Sequence, residues 1–189
     1  MTARLVLRPF TDMDREPFFE LNTHPLVVES LGSSATRAEN EAMLSRYGEE
    51  LAGEGWGFWA AEVPGGSPFV GIVGLHRVNP ALPCAPAVEV GWRLHPDYWG
   101  HGYATEAAAA ALDFGFNEAG LDEIVAFTTA VNTRSQAVME RIGMTRERSG
   151  DFDHPALPEG SPLRSHVLYR IGAPAHSSST SQVGPSVAS

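Results

Sequence analysis

Two glycines separated by one residue precede an alanine-rich stretch in the segment "DYWGHGYATEA", residues 97–107. Gly100 and Gly102 lie between a predicted strand that ends near His95 and a predicted helix that begins near Tyr103. The first amides of a helix have no acceptor within the helix, and the helix dipole favours anions at that end. Glycines before such a helix let a phosphate approach the backbone, so the segment predicts a phosphate-binding turn. The same spacing is compatible with a glycine-rich turn that binds nothing.

Other phosphate-binding motifs fit this sequence poorly. A P-loop is excluded because its glycine pattern is missing and the chain contains no lysine. A dinucleotide-binding motif would use Gly100 and Gly102 with an acid about 20 residues later, near Asp122 and Glu123. However, Thr105 occupies its third glycine position, and both acids lie at the start of the next predicted strand instead of its end. A turn that binds the diphosphate of coenzyme A is the third possibility, after the P-loop and the dinucleotide-binding motif.

The composition limits the classes of function that the chain can have. Its 189 residues and 43% hydrophobic content predict one globular domain with a full core. The net charge of −10 argues against nucleic-acid binding and is compatible with an amine substrate. A single cysteine, Cys84, excludes a disulfide framework and a multi-thiolate zinc site, and the absence of lysine excludes Schiff-base catalysis.

Further absences in the sequence set expectations about location and metals. No stretch is apolar and long enough for a membrane span, and the N-terminal residues lack the features of a secretion signal. We therefore expect a cytoplasmic protein with no membrane partner. The spacing of His95, His101, His154 and His166 matches no ligand pattern, so no metal is expected.

Hydrophobic periodicity and turn residues predict an α+β domain. Strands are predicted at 4–10, 57–64, 69–78, 87–96, 122–132 and 165–171. Helices are predicted from 11 to 22, from 36 to 53, from 103 to 119 and from 133 to 143. Thr36 and Glu39 form a predicted capping box, and Gly53 is the predicted end of that helix. This order predicts a mixed, mostly antiparallel sheet with helices on both faces over residues 1–172, followed by a disordered tail over 173–189.

Two motifs together carry a resemblance to a known family. The segment "LHPDYWGHGYATEAA", followed further along the chain by "NTRSQAVMERIGM", resembles the GNAT acyltransferase superfamily. The likeness runs from Arg4 to about Ile171 and is greatest to the branch of ribosomal-protein N-terminal acetyltransferases. The resemblance implies a single GNAT-like domain, acetyl-CoA as co-substrate and no metal.

The resemblance also implies which residues bind the coenzyme. The pyrophosphate loop of the family falls on residues 99–104, and the end of the preceding strand would bind the pantetheine arm through its backbone. Asn132 matches an asparagine that contacts the same arm. The implied coenzyme-binding residues are Trp92, Arg93, Leu94, Trp99, Gly100, His101, Gly102, Tyr103, Ala104, Thr105, Asn132 and Ser135.

Acetyl transfer to an amine needs a proton donor for the departing thiolate. Many members of the family place a tyrosine in the short helix for this purpose, and Met139 stands at that position here. Ser135 provides the nearest hydroxyl and is our candidate proton or hydrogen-bond donor. The alternative is that Ser135 only caps the helix.

The reaction also needs a base that removes a proton from the acceptor amine. Glu89 is our candidate, since it lies on the predicted central strand opposite the face of Val88 and Val90, where burial would raise its pKa. The alternatives are an ion pair with Arg93 on the same face and an ordinary exposed glutamate.

These residues predict an acetyl-CoA-dependent N-acetyltransferase that transfers directly in a ternary complex. Cys84 precedes the central strand in a proline-rich loop, which argues against an acyl-cysteine intermediate. The expected acceptor is a primary amine, either a protein N-terminus or a small molecule. Trp56, Phe58 and Trp59 could line its site, with core packing as the alternative for at least two of them, and the loop over 150–162 could border it. The alternative function is a non-catalytic acyl-CoA-binding sensor. A monomer or a homodimer is expected.

Overall fold

An eight-stranded mixed sheet organises the protein in the computed structural model, which describes residues 1–174. The predicted tail from residue 175 onward lies outside the described residues. The strands are β1 (Val6–Arg8), β2 (Phe58–Glu62), β3 (Gly71–Arg77), β4 (Val88–Leu94), β5 (Glu123–Thr129), β6 (Thr145–Arg146), β7 (Phe152–Asp153) and β8 (Ser165–Gly172). Their order is β1-β2-β3-β4-β5-β8-β6, with β7 paired to β8. Within residues 1–174 every pairing is antiparallel except that of β4 with β5.

Five helices cover the described part of the sheet. They are α1 (Arg15–Thr23), α2 (Pro25–Leu31), α3 (Arg37–Glu54), α4 (Tyr103–Asn117) and α5 (Thr133–Arg141). The alanines of α4 pack against β3 and β4 in one core, which also contains Met139 of α5. Phe18 of α1 and Tyr47 of α3 pack against Phe58 and Ile72 in a second core on the opposite face. The predicted mixed, mostly antiparallel sheet with helices on both faces is therefore confirmed.

The residues of β4 alternate between these two cores. Val88, Val90 and Leu94 point towards α4, because they belong to the same core as its alanines. Since successive side chains of a strand point to opposite faces, Glu89 and Arg93 point towards α1 and α3. The sequence predicted this division of the strand.

The long helix α3 begins where the sequence predicts and ends two residues later. The Thr36 hydroxyl accepts from the Glu39 amide, and the Glu39 carboxylate accepts from the Thr36 amide at 2.7 Å, which confirms the capping box. The prediction that Gly53 ends the helix is wrong. Gly53 costs the helix about 1 kcal/mol, too little to stop it, and the chain leaves the helix at Gly55 in a left-handed conformation.

Three elements were missed by the sequence analysis. Helix α2 has only seven residues and too few apolar positions to show a period, although His24 as N-cap and Pro25 at the first position signal a helix start. Strands β6 and β7 have two residues each, which is too short for any alternation. All three were invisible to periodicity because a period needs several turns or pairs of residues.

Two glycine-to-alanine substitutions should change stability in opposite directions. Gly48 lies inside α3 with no atom within 4 Å of an added Cβ, so Gly48→Ala should stabilise the fold by about 0.5–1 kcal/mol. A Cβ on Gly74 would collide with the Gly57 carbonyl oxygen, so Gly74→Ala should lower the melting temperature markedly. Thermal unfolding of both variants tests the packing of β2 on β3, and a neutral Gly74→Ala would contradict it.

Candidate active site

Strands β4 and β5 pair at one position and then part. Their bridge joins Glu89 to Val125, whereas β4 continues to Leu94 and β5 to Thr129 without further pairing. A parallel pair normally continues its hydrogen bonds along the whole overlap. The opening therefore leaves an unpaired edge of β4 on one side and of β5 on the other.

Backbone alternation decides which residues of β4 face this opening. The His95 amide donates to the Val70 carbonyl at 2.9 Å, so the odd-numbered residues of β4 bond to β3. A Cβ on Gly71 would meet the Arg93 carbonyl oxygen, which places that carbonyl against β3. Trp92 and Leu94 consequently present their backbone groups to the opening. Their predicted contact with pantetheine remains a prediction, while a backbone contact from Arg93 conflicts with this geometry.

The turn between β4 and α4 has the form that an anion site needs. Gly100 and Gly102 have φ of 79° and 80°, in the left-handed region that favours glycine. Gly102 is the N-cap of α4. Among the described residues, no amide of the six positions from Gly100 to Thr105 donates to a protein acceptor. These amides lie at the positive end of a 15-residue helix, where an anion such as a diphosphate is favoured.

Trp99 fixes the turn to the strand that precedes it. Its indole Nε1 donates to the Leu94 carbonyl at 2.8 Å, and its ring packs against both cores. The Arg134 guanidinium lies 4.7 Å from the centre of the same ring. Arg134 is exposed, makes no ion pair within residues 1–174 and brings a positive charge to the turn. The sequence analysis missed this residue, although it is the neighbour of Ser135 in the second motif.

The N-terminal residues brace the start of α4 from the other side. Glu106 in the first turn accepts from the Arg4 amide at 2.8 Å and from the Thr2 hydroxyl at 2.6 Å, and it forms an ion pair with the Arg4 side chain. Arg4 also donates to the His101 carbonyl at 2.9 Å. The His101 ring stacks on Tyr103 at 5.6 Å. His101 and Arg4 are both partly solvent-exposed at the turn and can reach a phosphate there.

The start of α5 is held by Asn132. Its side-chain oxygen accepts from the Ser135 amide at 3.1 Å, and its Nδ2 donates to the Thr128 hydroxyl at 3.1 Å. Asn132 is therefore the N-cap, and the capping alternative for Ser135 is wrong. The Ser135 hydroxyl is half-buried and has no hydrogen-bond partner in the described chain. It stays available as a donor, and its contact with the coenzyme stays a prediction.

Met139 occupies a position that gives it no access to the reaction. Its side chain is 2% exposed and belongs to the core under α4. A side chain buried in that core packs the helix against the sheet. Met139 thus supplies neither a proton nor a contact in the opening, and Ser135 carries that part of the prediction alone.

Glu89 lies at the closed end of the opening, where β4 last touches β5. Its carboxylate is half-buried, and no residue between 1 and 174 bonds to it or forms an ion pair with it. Both alternatives from the sequence, a pair with Arg93 and an ordinary exposed glutamate, are therefore wrong. Burial raises the pKa of Glu89 to about 7, because a charged carboxylate without partners is disfavoured away from water. A carboxylate with this pKa suits a general base.

Arg93 is instead bonded to neutral side chains. Its Nη1 donates to the Asn22 side-chain oxygen, and Asn22 in turn donates to Asn40 at 2.5 Å. Asn40 donates to the carbonyls of Ala35 and Thr36. Both asparagines are 2% exposed. This chain of amides holds the guanidinium in place without neutralising its charge.

An apolar surface lies between Glu89 and Arg93. The Phe58 ring covers Gly91, whose added Cβ would lie 2.9 Å from the Phe58 Cζ atom. Tyr47 packs on that ring at 4.9 Å. Of the aromatic residues proposed for the acceptor site, Phe58 thus lies on the expected face, whereas Trp59 packs against Phe114 on the other face.

The loop over 150–162 approaches this face from the far side of the sheet. An added Cβ on Gly32, which follows α2, would lie 2.9 Å from Leu163 and 3.8 Å from Leu157. The loop therefore rests on the end of α2. This contact supports its predicted role as a border of the acceptor site. No group of His, Cys, Asp and Glu able to hold a metal occurs in the described residues, and none of their helices is long and apolar enough to span a membrane.

Solved structures share this arrangement and place the chain among acetyltransferases. A GNAT-family acetyltransferase from Bacillus anthracis is 28% identical, with a TM-score of 0.74 over 91% of this chain and 96% of that one. A spermidine N-acetyltransferase from Vibrio cholerae, solved with CoA and spermine, has a TM-score of 0.70 over 90% of this chain and 96% of its own. Its identity of 19% supports a common fold alone.

The sequence comparisons identify the family. The family model for the acetyltransferase (GNAT) domain matches residues 4–145. An FsC-acetyl coenzyme A-N(2)-transacetylase of Aspergillus fumigatus is 31% identical over 84% of this chain and 72% of its own length. The uncharacterized N-acetyltransferase YoaA of Bacillus subtilis is 26% identical over 92% and 96%. The chain belongs to the GNAT family and is an N-acetyltransferase of that family, which confirms the resemblance, while the ribosomal-protein branch remains a prediction.

A side chain at Gly102 should remove coenzyme binding and leave the fold intact. Gly102→Val introduces a β-branched residue at φ of 80°, and we expect the turn to change shape and its amides to diverge. Gly65→Val is a matched control, because Gly65 has φ of 73° and open space but lies in the β2–β3 turn. Calorimetric titration with coenzyme A should show binding only in the control. Normal binding by Gly102→Val would overturn the assignment of the phosphate turn.

Proposed function

We propose that the protein transfers the acetyl group of acetyl-CoA directly to a primary amine in a ternary complex. The observation that carries this proposal is the unpartnered Glu89 carboxylate at the point where β4 and β5 part. It combines a raised pKa with a place beside the open backbone edge of Trp92. A base next to a thioester-binding edge is what amine acetylation requires.

The residues of the turn fit a coenzyme A diphosphate. Six free amides at the start of α4 provide the donors, and Arg134 adds positive charge beside Trp99, whereas the charge of Arg4 is already paired with Glu106. The open edge of β4 provides an amide and a carbonyl at Trp92 for the pantetheine arm. Acetyl-CoA supplies the activated acyl group. Side chains of this protein remove the proton from the acceptor and stabilise the departing thiolate.

Glu89 removes the proton that the acceptor ammonium must lose before its nitrogen can attack. Transfer then forms a carbon–nitrogen bond at the acetyl carbonyl and breaks its bond to sulfur. The nitrogen loses its second proton as the amide forms, and the departing thiolate takes up a proton in exchange. Ser135 stabilises the thiolate by a hydrogen bond or relays this proton to it, since its hydroxyl is free and half-buried on the first turn of α5. The proton taken by Glu89 returns to solvent, which restores the base.

The names of similar proteins indicate the general class of the acceptor. The Aspergillus relative is named for acetyl transfer from acetyl coenzyme A to a nitrogen. The Vibrio structure contains spermine, a small-molecule amine, beside CoA. The Aspergillus name supports a nitrogen atom as the acceptor of this chain, and both a small-molecule amine and a protein N-terminus fit it.

Replacing the proposed base should abolish the pH dependence of the reaction. Since Glu89 accepts a proton only when ionised, kcat/KM should rise through about pH 7 and level off above it. Glu89→Gln should lower kcat about a hundredfold or more at pH 8, with unchanged affinity for acetyl-CoA. Assays of thiol release at several pH values measure both the pH profile of kcat/KM and the kcat of the variant. Turnover that is unaffected at every pH would remove Glu89 from the mechanism.

The same variant should be more stable than the native protein at high pH. The folded-state pKa of Glu89 lies above its unfolded value, so its ionisation penalises the fold above about pH 7 and not below the unfolded value of about 4.5. Glu89→Gln should therefore raise the melting temperature at pH 8 and leave it unchanged at pH 4. A drop at pH 8 would indicate a structural carboxylate instead of a base.

Replacing Ser135 should affect turnover and leave stability unchanged. Ser135→Ala keeps the amide that Asn132 accepts, so α5 should remain capped. We expect kcat to fall by about tenfold to a hundredfold with little change in KM for acetyl-CoA. Thr133→Ala, at the exposed first position of α5, serves as the control and should retain native kcat.

Coenzyme binding without turnover on any amine by the native protein would favour the non-catalytic sensor instead of the transferase.

A further inference from the structure

The Arg93 guanidinium is a cation without a carboxylate partner in the described residues. Its one side-chain hydrogen bond goes to the neutral Asn22 oxygen. The other arginines that point into the protein end on acids, as Arg8 does on Asp14 at 2.7 Å. A partly buried charge without a counter-ion is disfavoured, so a bound anion would stabilise Arg93.

The neutral partner is fixed by the hydrogen bonds behind it. Asn40 uses its donor on the carbonyls of Ala35 and Thr36, and this leaves its oxygen to accept from Asn22. Asn22 uses its own donor there and consequently presents its oxygen to Arg93. The chain orients the guanidinium and keeps its charge, whereas an aspartate in place of Asn22 would have neutralised it.

The remaining nitrogens of Arg93 are reachable from solvent. Within residues 1–174, the enclosed side-chain polar atoms without a partner are the Thr129 hydroxyl and the Arg146 Nε, and no atom of Arg93 is among them. Arg93 is half-buried. Its free N–H groups therefore keep contact with solvent on the face of β4 that meets Asn22 of α1, where a small anion can reach them.

The proposed base lies on the same face of the sheet as Arg93. Glu89 and Arg93 share one face of β4, and four residues of strand separate them by roughly 13 Å between Cα atoms. The Phe58 ring covers Gly91 between them. Burial is the largest cause of the raised pKa of Tyr47. Arg93 lowers that pKa and Glu89 raises it, so the Tyr47 hydroxyl is close enough to interact with both charges. One face thus presents a base, an apolar floor and a cation in a row.

We propose that Arg93 binds a carboxylate of the acceptor, so that the substrate is a primary amine that carries a carboxylate beyond a short apolar linker. The inference rests on the proposed acetyl transfer and names the substrate class of the same site. Guanidinium groups bind carboxylates through two parallel N–H donors, and Arg93 has such donors free. The amine would then lie towards Glu89 and the linker over Phe58. Asn22 acts as a positioning residue for Arg93.

Matched acceptors test this class directly. We would compare β-alanine, γ-aminobutyrate and ε-aminocaproate with their carboxamides, using acetyl-CoA and thiol release. The native protein should prefer at least one carboxylate over its amide by about tenfold to a hundredfold in kcat/KM, the range expected for a hydrogen-bonded charge. Arg93→Met should bring that ratio to about one through KM for the acceptor, with unchanged affinity for acetyl-CoA.

A second variant keeps the proposal testable if Arg93→Met does not fold. Asn22→Asp places a carboxylate beside Arg93 and should remove the preference for carboxylates by occupying the cation. Arg37→Met is the control, because Arg37 forms an exposed ion pair with Glu16 on the outer side of α3 and should keep the native ratio. A native ratio near one, or an Arg93→Met variant that loses both acceptors equally, would overturn the proposal.

A binding measurement separates this inference from the proposed function. Calorimetric titration of each acid and its amide into the coenzyme A complex reports on Arg93 even where no acetyl group is transferred. Binding of the acid alone, lost in Arg93→Met, would support the carboxylate site while absent turnover would refute the transferase. Turnover on amides and diamines without any preference for acids would leave the transferase and refute the carboxylate site.

Discussion

The parting of β4 from β5 after a single bridge is the constraint on which the proposed chemistry depends. A continuous parallel pair would have used the backbone groups of Trp92 for the sheet and would have left no room beside Glu89. The opening survives because each strand is held from its other side, β4 by seven paired residues of β3 and β5 by seven of β8. The sheet can thus spare hydrogen bonds at its centre without losing either strand.

Two charged groups on β4 lack the ion pairs that many other charged side chains of the molecule form. Charged side chains at the surface pair with one another, as in Arg77 with Glu54 and Arg170 with Glu123. Glu89 and Arg93 have no such partner in the described chain, although they point to the same face. Phe58 and Gly91 keep them apart, so that each charge remains available to a ligand. Their lack of partners costs stability at the place where function would use them.

Much of the fold was predictable because its longer elements repeat a pattern. The capping box at Thr36 and the alternation of β4 follow from local rules and were found in the sequence. The turn at Gly100 was also predicted, since a left-handed turn before a helix has a strong glycine preference. The second motif gave Asn132, whose role as the N-cap of α5 the structure then revealed.

The remaining features depend on contacts between distant segments, which periodicity does not encode. The neutral partner of Arg93 comes from α1, 71 residues earlier, so the sequence suggested Glu89 as its partner instead. Arg134 meets Trp99 only because α5 returns beside the coenzyme turn. In both cases the residue was visible, but its chemistry depended on a neighbour that only the fold supplies.

Net charge and local charge point to different ligands in this protein. The chain carries −10 overall, yet the turn before α4 combines helix amides with Arg134, and Arg93 lies without an acidic partner on the proposed acceptor face. At physiological ionic strength charges are screened over about 8 Å, so a bound group responds mainly to its immediate neighbours. The acidic surface therefore leaves the sign of the ligands undetermined. Arg134 and Arg93 form no ion pair in the described residues, and both are consistent with the proposed binding of negative groups on the donor and on the acceptor.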